Sequence, residues 1–215
     1  DNCEYKNYDI ESIKEFPKII NEIKGLRGLN VTIPYKEEII PYLDKLSKTA
    51  KKIGAVNCVT ISKKKKLKGY NTDYHGFKKS IKPLLKDHHK KALILGTGGA
   101  SKAIAYALRS LKIEYDFVSR TADEFQYKYE ELDASIFEEY TIIINTTPVG
   151  THPNVDDCPN LDYSLFTKKH IAYDLIYNPE ETAFLRKAKA QGAVTKNGYE
   201  MLVLQAEKAW KIWNE

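Results

Sequence analysis

Apolar residues recur at two different spacings in the amino-terminal third of the chain. Helical spacing predicts a helix over residues 9–24, and β-branched residues predict a short strand over residues 28–33. A second amphipathic helix is predicted over residues 37–46. Two more strand-like runs, residues 56–61 and 67–70, flank a lysine-rich turn and predict a hairpin. This third of the chain therefore lacks a regular alternation of strands and helices.

From residue 91 onward, short apolar strands alternate with helices. The strands are predicted over residues 92–95, 115–118, 141–145 and 170–175, and the helices over residues 100–111 and 181–190. Fully apolar strands are typical of buried parallel sheets, and their alternation with helices predicts βαβ units. We therefore predict an α/β protein with a Rossmann-like doubly wound parallel sheet in a domain of residues 74–197. A last helix over residues 200–213 should return to the first domain, which is then discontinuous, with residues 1–73 and 198–215.

Composition and charge narrow the classes of protein. The 42% hydrophobic and 29% charged content of the 215 residues is that of an ordinary globular protein. The dense basic run Lys63–Lys66 is better explained as a solvated hairpin tip than as a nucleic-acid contact, so no nucleic-acid partner is expected. Cys3, Cys58 and Cys158 match no zinc or redox spacing. The three cysteines are therefore expected to be reduced thiols. The sequence also shows no apolar run of membrane-spanning length and no signal-peptide pattern, and together these features predict a cytoplasmic protein.

A glycine-rich loop follows the predicted strand 92–95 and opens the predicted helix 100–111. It consists of Gly96, Thr97, Gly98, Gly99, Ala100 and Ser101. Glycines there allow a tight turn and a close approach of the backbone to a pyrophosphate, and the start of the helix supplies free N–H groups. Although Ser101 replaces the third glycine, the position of the loop between strand and helix predicts dinucleotide binding.

The choice between NAD and NADP depends on the end of the next strand. Asp116 lies about 20 residues after the first glycine, where an acidic ligand of the NAD ribose is expected. However, Asp116 is near the start of the predicted strand 115–118, and Arg120 follows its carboxyl end. The planar guanidinium of an arginine suits a phosphate. The sequence therefore favours NADP.

The segment from Asn30 to Lys36 combines hydrogen-bonding side chains, a proline and a lysine after a predicted strand. Considered by itself, it is best explained as a strand end, a proline turn and a solvated lysine. Asp73 is predicted to be the N-cap of a helix over residues 74–85. Reducing a ketone by hydride transfer requires a proton at the developing oxygen anion, and a lysine beside a carboxylate can deliver it. The carboxylate favours the ammonium form and burial favours the amine, and the sequence leaves open which prevails.

Eight segments in order make the chain resemble the shikimate dehydrogenase family. Besides the glycine loop they are NVTIPYK (30–36), IGAVN (53–57), NTDYHG (71–76), SRT (119–121), NTTPVG (145–150), YDLIYNP (173–179) and NGYEMLVLQA (197–206). The resemblance implies reversible NADPH-dependent reduction of 3-dehydroshikimate to shikimate, in aromatic amino acid biosynthesis. It also implies that residues 1–73 and 198–215 bind the substrate and that residues 74–197 bind NADP.

The resemblance implies a role for each matching residue. Lys36 is the catalytic residue, and Asp73 is its partner and a substrate ligand. Further substrate contacts are Thr32, Asn57, Tyr177 and Gln205. The pyrophosphate is held by Gly96, Thr97, Gly98, Gly99 and Ala100, the adenosine phosphate by Ser119, Arg120 and Thr121, and the nicotinamide by Leu175 and Gly198.

Two departures from the family keep alternatives open. Ser119 replaces the usual asparagine of the family's Asn-Arg-Thr segment, so an NAD-dependent quinate/shikimate dehydrogenase is an alternative. The family's first strand and Ser-x-Ser segment have no counterpart, and the second strand is expected over residues 5–10. If that piece is truly absent, a dinucleotide-binding sensor without turnover is a further alternative. The expected partner is a small-molecule substrate, and the expected state is a monomer or homodimer.

No metal is expected to take part. His75, His88, His89, His152 and His170 show no ligand spacing and are interpreted as surface or loop residues.

Overall fold

The computed structural model describes residues 3–121, 123, 124 and 126–215, which form two sheets joined by helices. The α-helices are α1 (Phe16–Glu22), α2 (Lys48–Ile53), α3 (Asp73–Ile81), α4 (Gly99–Ser110), α5 (Ala134–Glu139), α6 (Ala183–Ala190) and α7 (Tyr199–Asn214). The strands are β1 (Gly28–Asn30), β2 (Lys45–Leu46), β3 (Cys58–Ile61), β4 (Leu67–Tyr70), β5 (Lys91–Leu95), β6 (Glu114–Val118), β7 (Gln126–Tyr127), β8 (Ile142–Asn145), β9 (Ile171–Asp174) and β10 (Val194–Lys196). Short 3-10 helices lie at Ile13–Glu15, Ile40–Tyr42, Lys82–Leu84, Tyr129–Glu131 and Tyr163–Leu165.

The first sheet has the strand order β1-β3-β4-β2 and is built around the predicted hairpin. β3 and β4 pair antiparallel, and Lys65 takes a left-handed conformation with φ of 55° in the turn between them. One face of this sheet covers a core that includes Phe16, Val31, Ile39 and Val59. The predicted hairpin is confirmed, with β3 starting two residues later than expected.

The second sheet has the strand order β10-β9-β8-β5-β6-β7, and the pairs between its strands are parallel. Consecutive residues of β5 point to opposite faces, as the two-residue period of a strand requires. Ile94 packs with Ile104 of α4 on one face, whereas Leu93 packs with Phe137 and Phe184 on the other. This confirms the predicted doubly wound parallel sheet. The apolar runs are buried on both faces, which explains why they carry no alternation.

Three local predictions in the first region need correction. Residues 37–46 form turns, a 3-10 helix and β2 instead of a helix, because Pro41 lacks an N–H and its ring obstructs a continuing helix. The predicted helix over residues 9–24 is shorter, since Ser12 caps a 3-10 turn and Pro17 lies at the start of α1. Residues 5–10 adopt no regular secondary structure, and residues 5–9 are exposed, so they offer no apolar face to bury.

Helix α7 contacts both sheets, as predicted for the returning helix. Near its start, Met201 packs into the cluster that contains Phe77 of α3 and Ile94 of β5. Near its end, Ala209 and Ile212 pack against Cys58 of the first sheet. The division into residues 1–73 with 198–215 and residues 74–197 is consistent with this path, and its exact boundaries stay a prediction.

Candidate active site

Lys36 and Asp73 form an ion pair that is largely shielded from solvent. Lys36 Nζ lies 2.8 Å from Asp73 Oδ2, and the two side chains are only 14% and 8% exposed. The backbone of Lys36 is fixed as well, because its carbonyl accepts a hydrogen bond from Val56 N at 2.7 Å. Lys36 is therefore not the solvated surface lysine that its segment suggested by itself.

Asp73 does not have the capping role that the sequence predicted. Thr72 occupies the N-cap position of α3, and Asp73 is the first helical residue. Its carboxylate binds side chains instead of the helix end: Oδ2 binds Lys36 and Oδ1 accepts from Asn57 Nδ2 at 2.9 Å. The tertiary contact to Lys36, which is distant in sequence, takes the place of the local capping bond.

Asn57, Thr72 and Gln205 extend this pair into a hydrogen-bonded network. Asn57 Oδ1 accepts from Thr72 N at 2.6 Å, and its Nδ2 also lies 3.3 Å from Gln205 Oε1. Thr72 Oγ1 donates to Gln205 Oε1 at 3.2 Å. Three of the predicted substrate ligands, Asn57, Asp73 and Gln205, therefore lie together, although they come from three separate parts of the chain.

A cleft with a volume of about 1290 Å³ opens over this network and is bordered by both sheets. The predicted site residues that line it are Thr32, Lys36, Asn57, Asp73, Ala100, Leu175, Tyr177, Gly198 and Gln205. The other predicted residues lie along the cofactor loop and beyond it: Gly96, Thr97, Gly98, Gly99, Ser119, Arg120 and Thr121. Thr32 and Tyr177 are exposed at the cleft, where they can meet a ligand.

The glycine loop has the geometry of an anion cradle. Gly96 has a φ of +100°, and a Cβ there would lie 2.9 Å from Thr147 Cγ2, so a side chain would be both strained and crowded. α4 begins at Gly99, and the N-cap Gly98 has no side chain to occupy the N–H groups of the first turn. Ser101, in place of the third glycine, is buried and donates its hydroxyl to Gly98 O at 2.7 Å. The residues present therefore fit a dinucleotide pyrophosphate.

Arg120 follows the carboxyl end of β6 and is exposed, with Ser119 and Thr121 beside it. Ser119 N donates to Tyr127 O, and Thr121 N lies 3.2 Å from Ser119 Oγ, which gives the turn a defined shape. Asp116, by contrast, lies within β6 and accepts a hydrogen bond from Tyr140 Oη at 2.5 Å. Arg120 is thus exposed beyond the carboxyl end of β6, whereas the Asp116 carboxylate is bonded to Tyr140, and a role for Arg120 in cofactor binding stays a prediction.

A buried pair, Asn145 and Asp174, joins two loops at the cleft, and sequence reasoning assigned it no role. The two residues end neighbouring strands and lie in register, and Asn145 Nδ2 donates to Asp174 Oδ1 at 3.1 Å. Asp174 also accepts from Ile176 N at 3.0 Å and from Thr182 Oγ1 at 2.6 Å. Burial nevertheless raises the pKa of Asp174 to about 6. The sequence does carry a signal for this pair, namely a polar residue at the carboxyl end of each of two apolar strands.

Leu175 and Gly198, both predicted at the nicotinamide, are in direct contact. Gly198 N donates to Ile176 O at 2.9 Å, and a Cβ on Gly198 would lie 2.0 Å from Leu175 O. Glycine is therefore required at this position for steric reasons. The contact brings the start of α7 against the loop that follows β9.

Four of the five histidines lie in loops, as interpreted from the sequence, although two of these four are not on the surface; His75 is the exception and lies in a helix. His75 lies in α3, and His89 and His170 lie in loops but are buried. His170 Nδ1 accepts from Thr167 N at 3.0 Å, and its Nε2 lies 2.9 Å from Phe137 O. Burial lowers the pKa of the His89 and His170 imidazoles. These two side chains tie loops to the base of the second sheet.

The described ranges contain neither a metal cluster nor a membrane span. Residues 3–121, 123, 124 and 126–215 hold no group of three or more His, Cys, Asp or Glu side chains placed to bind a metal ion. Within the same ranges, no helix is both long enough and apolar enough to cross a bilayer.

Comparisons with known proteins agree on one family. The sequence profile described as the shikimate dehydrogenase substrate binding domain matches residues 1–59. The shikimate dehydrogenase (NADP(+)) of Caldanaerobacter subterraneus subsp. tengcongensis is 42% identical over 207 residues, which cover 88% of this chain and 72% of the relative.

Solved structures show the same likeness in three dimensions. The shikimate 5-dehydrogenase of Thermus thermophilus in complex with NADP(H) and shikimate is 34% identical, with a TM-score of 0.81 over 94% of this chain and 78% of that chain. The quinate dehydrogenase of Corynebacterium glutamicum in complex with NAD is 30% identical, with a TM-score of 0.74 over 88% of this chain and 73% of that chain.

Proposed function

The chain belongs to the shikimate dehydrogenase family, and on that premise we propose that it catalyses the reversible NADPH-dependent reduction of 3-dehydroshikimate to shikimate. It is then an oxidoreductase acting on a CH–OH group in aromatic amino acid biosynthesis. The observation that carries the proposal is the shielded Lys36–Asp73 pair, which lies in a cleft that is bordered on its other side by the start of the glycine-loop helix.

Lys36 is proposed to transfer the proton of this reaction. NADPH bound at the glycine loop would supply the hydride. As charge develops on the carbonyl oxygen, the Lys36 ammonium donates a proton to it, and in the oxidation the amine takes the proton back. Asp73 holds Lys36 Nζ at 2.8 Å, and Asn57 in turn holds the Asp73 carboxylate at 2.9 Å. This arrangement orients the amine before substrate arrives.

The remaining groups of the cleft suit a polyhydroxylated ring. Asn57 and Gln205 provide amides, Asp73 provides a carboxylate, and Thr32 adds a hydroxyl at the exposed rim. Such groups both donate and accept hydrogen bonds, as ring hydroxyls require. Tyr177 also lines the cleft, is exposed there and is proposed as a further contact.

The residues proposed to contact the cofactor are those implied by the family resemblance. Gly96, Thr97, Gly98, Gly99 and Ala100 are proposed to hold the pyrophosphate at the start of α4. Ser119, Arg120 and Thr121 are proposed to bind the adenosine phosphate, and Leu175 and Gly198 the nicotinamide. Residues 74–197 are thus proposed to bind NADP and residues 1–73 with 198–215 the substrate, apart from Gly198 and Tyr177, which would each contact the ligand of the other region.

A single substitution tests the role of Lys36. Lys36→Ala is expected to reduce the rate of NADPH oxidation with 3-dehydroshikimate at least about 100-fold, as expected for a lost acid–base group, while the Kd for NADPH stays unchanged. Steady-state kinetics and a fluorescence titration of NADPH measure the two quantities. Lys51→Ala is the matched control, because Lys51 is exposed on α2. Turnover of Lys36→Ala at the parent rate would refute the assignment.

The same assay separates the alternatives. Turnover of quinate with NAD in preference to shikimate with NADP would favour a quinate/shikimate dehydrogenase, the activity named for the Corynebacterium relative. Binding of NADPH without turnover of either substrate would favour a sensor. The intact Lys36–Asp73 pair supports an enzyme, since a binding module has no need for it.

Location and assembly remain proposals. A cytoplasmic protein is supported by the free thiols of Cys3, Cys58 and Cys158. A monomer or homodimer is proposed for the assembly, to be measured by light scattering.

A further inference from the structure

An ion pair between Glu37 and Lys102 joins the first region to α4. Glu37 directly follows Lys36, and Lys102 is the fourth residue of α4, the helix that the glycine loop opens. Lys102 Nζ pairs with Glu37 Oε2, and the two side chains are 40% and 43% exposed. The pair therefore connects the neighbour of the proposed proton donor to the helix of the proposed cofactor loop.

The backbone at the start of α4 comes close to the same segment. A Cβ on Gly99 would lie 3.4 Å from Lys36 Cβ and 3.6 Å from Glu37 Oε1. One residue beyond Lys102, Ala103 is buried and packs against Ile53 and Ala55. The ion pair thus lies at one end of a continuous contact between the first region and α4.

Lys36 has anchors within the first region, and its neighbour Glu37 adds a contact to α4. Val56 N binds the Lys36 carbonyl and Asp73 binds its amine. These bonds position the lysine within the first region, but neither relates it to the glycine loop. The Glu37–Lys102 pair does so, because its two ends lie next to Lys36 and within the first turns of α4.

We propose that Glu37 and Lys102 are positioning residues that form a clasp between the Lys36 segment and the cofactor loop. Its purpose is to keep the proton donor and the hydride source in register, so the inference rests on the proposed function. A half-exposed pair contributes little to folding stability. A shift of about 1 Å between reacting groups, however, can reduce a rate about 100-fold. The clasp should therefore affect kcat more than the melting temperature.

Lys102 has one competing role that the test must exclude, namely direct binding of a cofactor phosphate at the start of α4. In that role Lys102 would act without Glu37, and its loss would weaken NADPH binding. In a clasp, the loss of either partner removes the whole contribution of the pair to kcat. A double-mutant cycle distinguishes the two roles, because only a clasp makes the effects of the single changes non-additive.

The experiment compares Glu37→Gln, Lys102→Gln and the double variant in the full chain. Each is expected to reduce kcat about fivefold, with the double variant no worse than either single variant and the Kd for NADPH unchanged within about twofold. Lys102→Arg, which keeps the charge, should retain most of kcat. Glu38→Gln and Arg109→Gln, exposed neighbours in the same segment and the same helix, are matched controls that should keep the parent kcat.

A readout other than activity separates this inference from the proposed function. Hydrogen–deuterium exchange of residues 35–40 should increase equally in the three variants, because the clasp holds that segment. If the parent protein turned over neither shikimate nor quinate, the proposed function would fail while the exchange result still reported on the clasp. Parent-like kcat and exchange in both single variants would overturn the clasp. So would a loss of NADPH affinity confined to Lys102→Gln and its double variant, with additive effects.

Discussion

Single residues of this candidate site also meet a structural constraint. Asp73 illustrates this: it lies at the start of α3, where a carboxylate is favourable, but its carboxylate binds Lys36. Gly198 is a second case, because its missing side chain lets α7 begin against the Leu175 backbone. Both residues precede or open a helix that contacts the cleft. For these two residues, a position at the start of a helix indicates that the residue belongs to the site, but it does not indicate what the residue does there.

Arg120 is expected to determine cofactor preference. Its exposed guanidinium follows the carboxyl end of β6, where the extra phosphate of NADP is proposed to lie. Arg120→Ala should raise the Kd for NADPH about tenfold and leave the Kd for NADH within about twofold, because a charge-assisted hydrogen bond to the phosphate contributes about 1.5–3 kcal/mol. Fluorescence titration of both cofactors measures this. Equal losses of affinity for NADPH and NADH would show that Arg120 does not bind the phosphate. Arg186→Ala is the matched control, because Arg186 is an exposed residue of α6.

At the scale of elements, the prediction was most accurate where burial alone determines structure. β5, β8 and β9 lie within one residue of the predicted strands because buried parallel strands are almost entirely apolar. β6 lies equally close to its prediction, although it is only partly buried and contains Glu114 and Asp116. The prediction of a helix over residues 37–46 was wrong because it rested on the helical spacing of apolar residues, which takes no account of how Pro41 restricts the backbone. The short strands β2, β7 and β10 have too few residues for a period to be visible.

The candidate site was less accessible to sequence reasoning than the fold. The motifs identified Lys36 and Asp73, but the Asn145–Asp174 pair depends on the register of β8 against β9. Likewise, the Glu37–Lys102 contact depends on how α4 packs against the first region. Neither register nor packing between distant segments can be derived from local periodicity.

The loops at the base of the second sheet are expected to make stability depend on pH. His170 is buried, and burial lowers its pKa in the folded state. The unfolded chain therefore binds more protons near and below the ordinary histidine pKa of about 6.5, and stability is lost as pH falls through that value. His170→Gln should make the free energy of unfolding less pH-dependent between about pH 7.5 and about pH 5.5.

Urea denaturation at several pH values measures this slope, with His152→Gln as the control because His152 is exposed. Asp174 contributes a slope of opposite sign, since its pKa is raised to about 6 in the folded state. That contribution cancels when the variant is compared with the parent. An unchanged slope in His170→Gln would mean that protonation of His170 does not limit acid stability.

At the scale of the whole molecule, two helices connect the two sheets. α4 pairs with Glu37 and packs against Ile53 and Ala55, and α7 runs from the second sheet to the first. Closure of the cleft on ligand binding remains a hypothesis, and these two connections define where a hinge would have to bend. Because Gln205 lies midway along α7, the end of this helix should influence the substrate pocket.

Together with Ala209 and Ile212, Trp213 attaches the end of α7 to the first sheet. Its Nε1 donates to Val59 O at 3.0 Å, and the indole lies over Gly28, where a Cβ would come within 2.3 Å of Nε1. Trp213→Ala removes the hydrogen bond and the apolar contact, so we expect a loss of about 3 kcal/mol in the free energy of unfolding. Trp210→Ala, on an exposed turn of the same helix, should lose less than about 1 kcal/mol.

The functional consequence distinguishes a local effect from a global one. With the end of α7 released, Gln205 should lose its fixed position beside Asn57 and Thr72, and the KM for shikimate should rise about fivefold. The Kd for NADPH should stay within about twofold, because the glycine loop belongs to the second sheet and its Gly98 carbonyl is held by Ser101. A parallel loss of NADPH affinity would instead mean that α7 stabilises both regions as one cooperative unit, and the proposed division of labour between them would have to be abandoned.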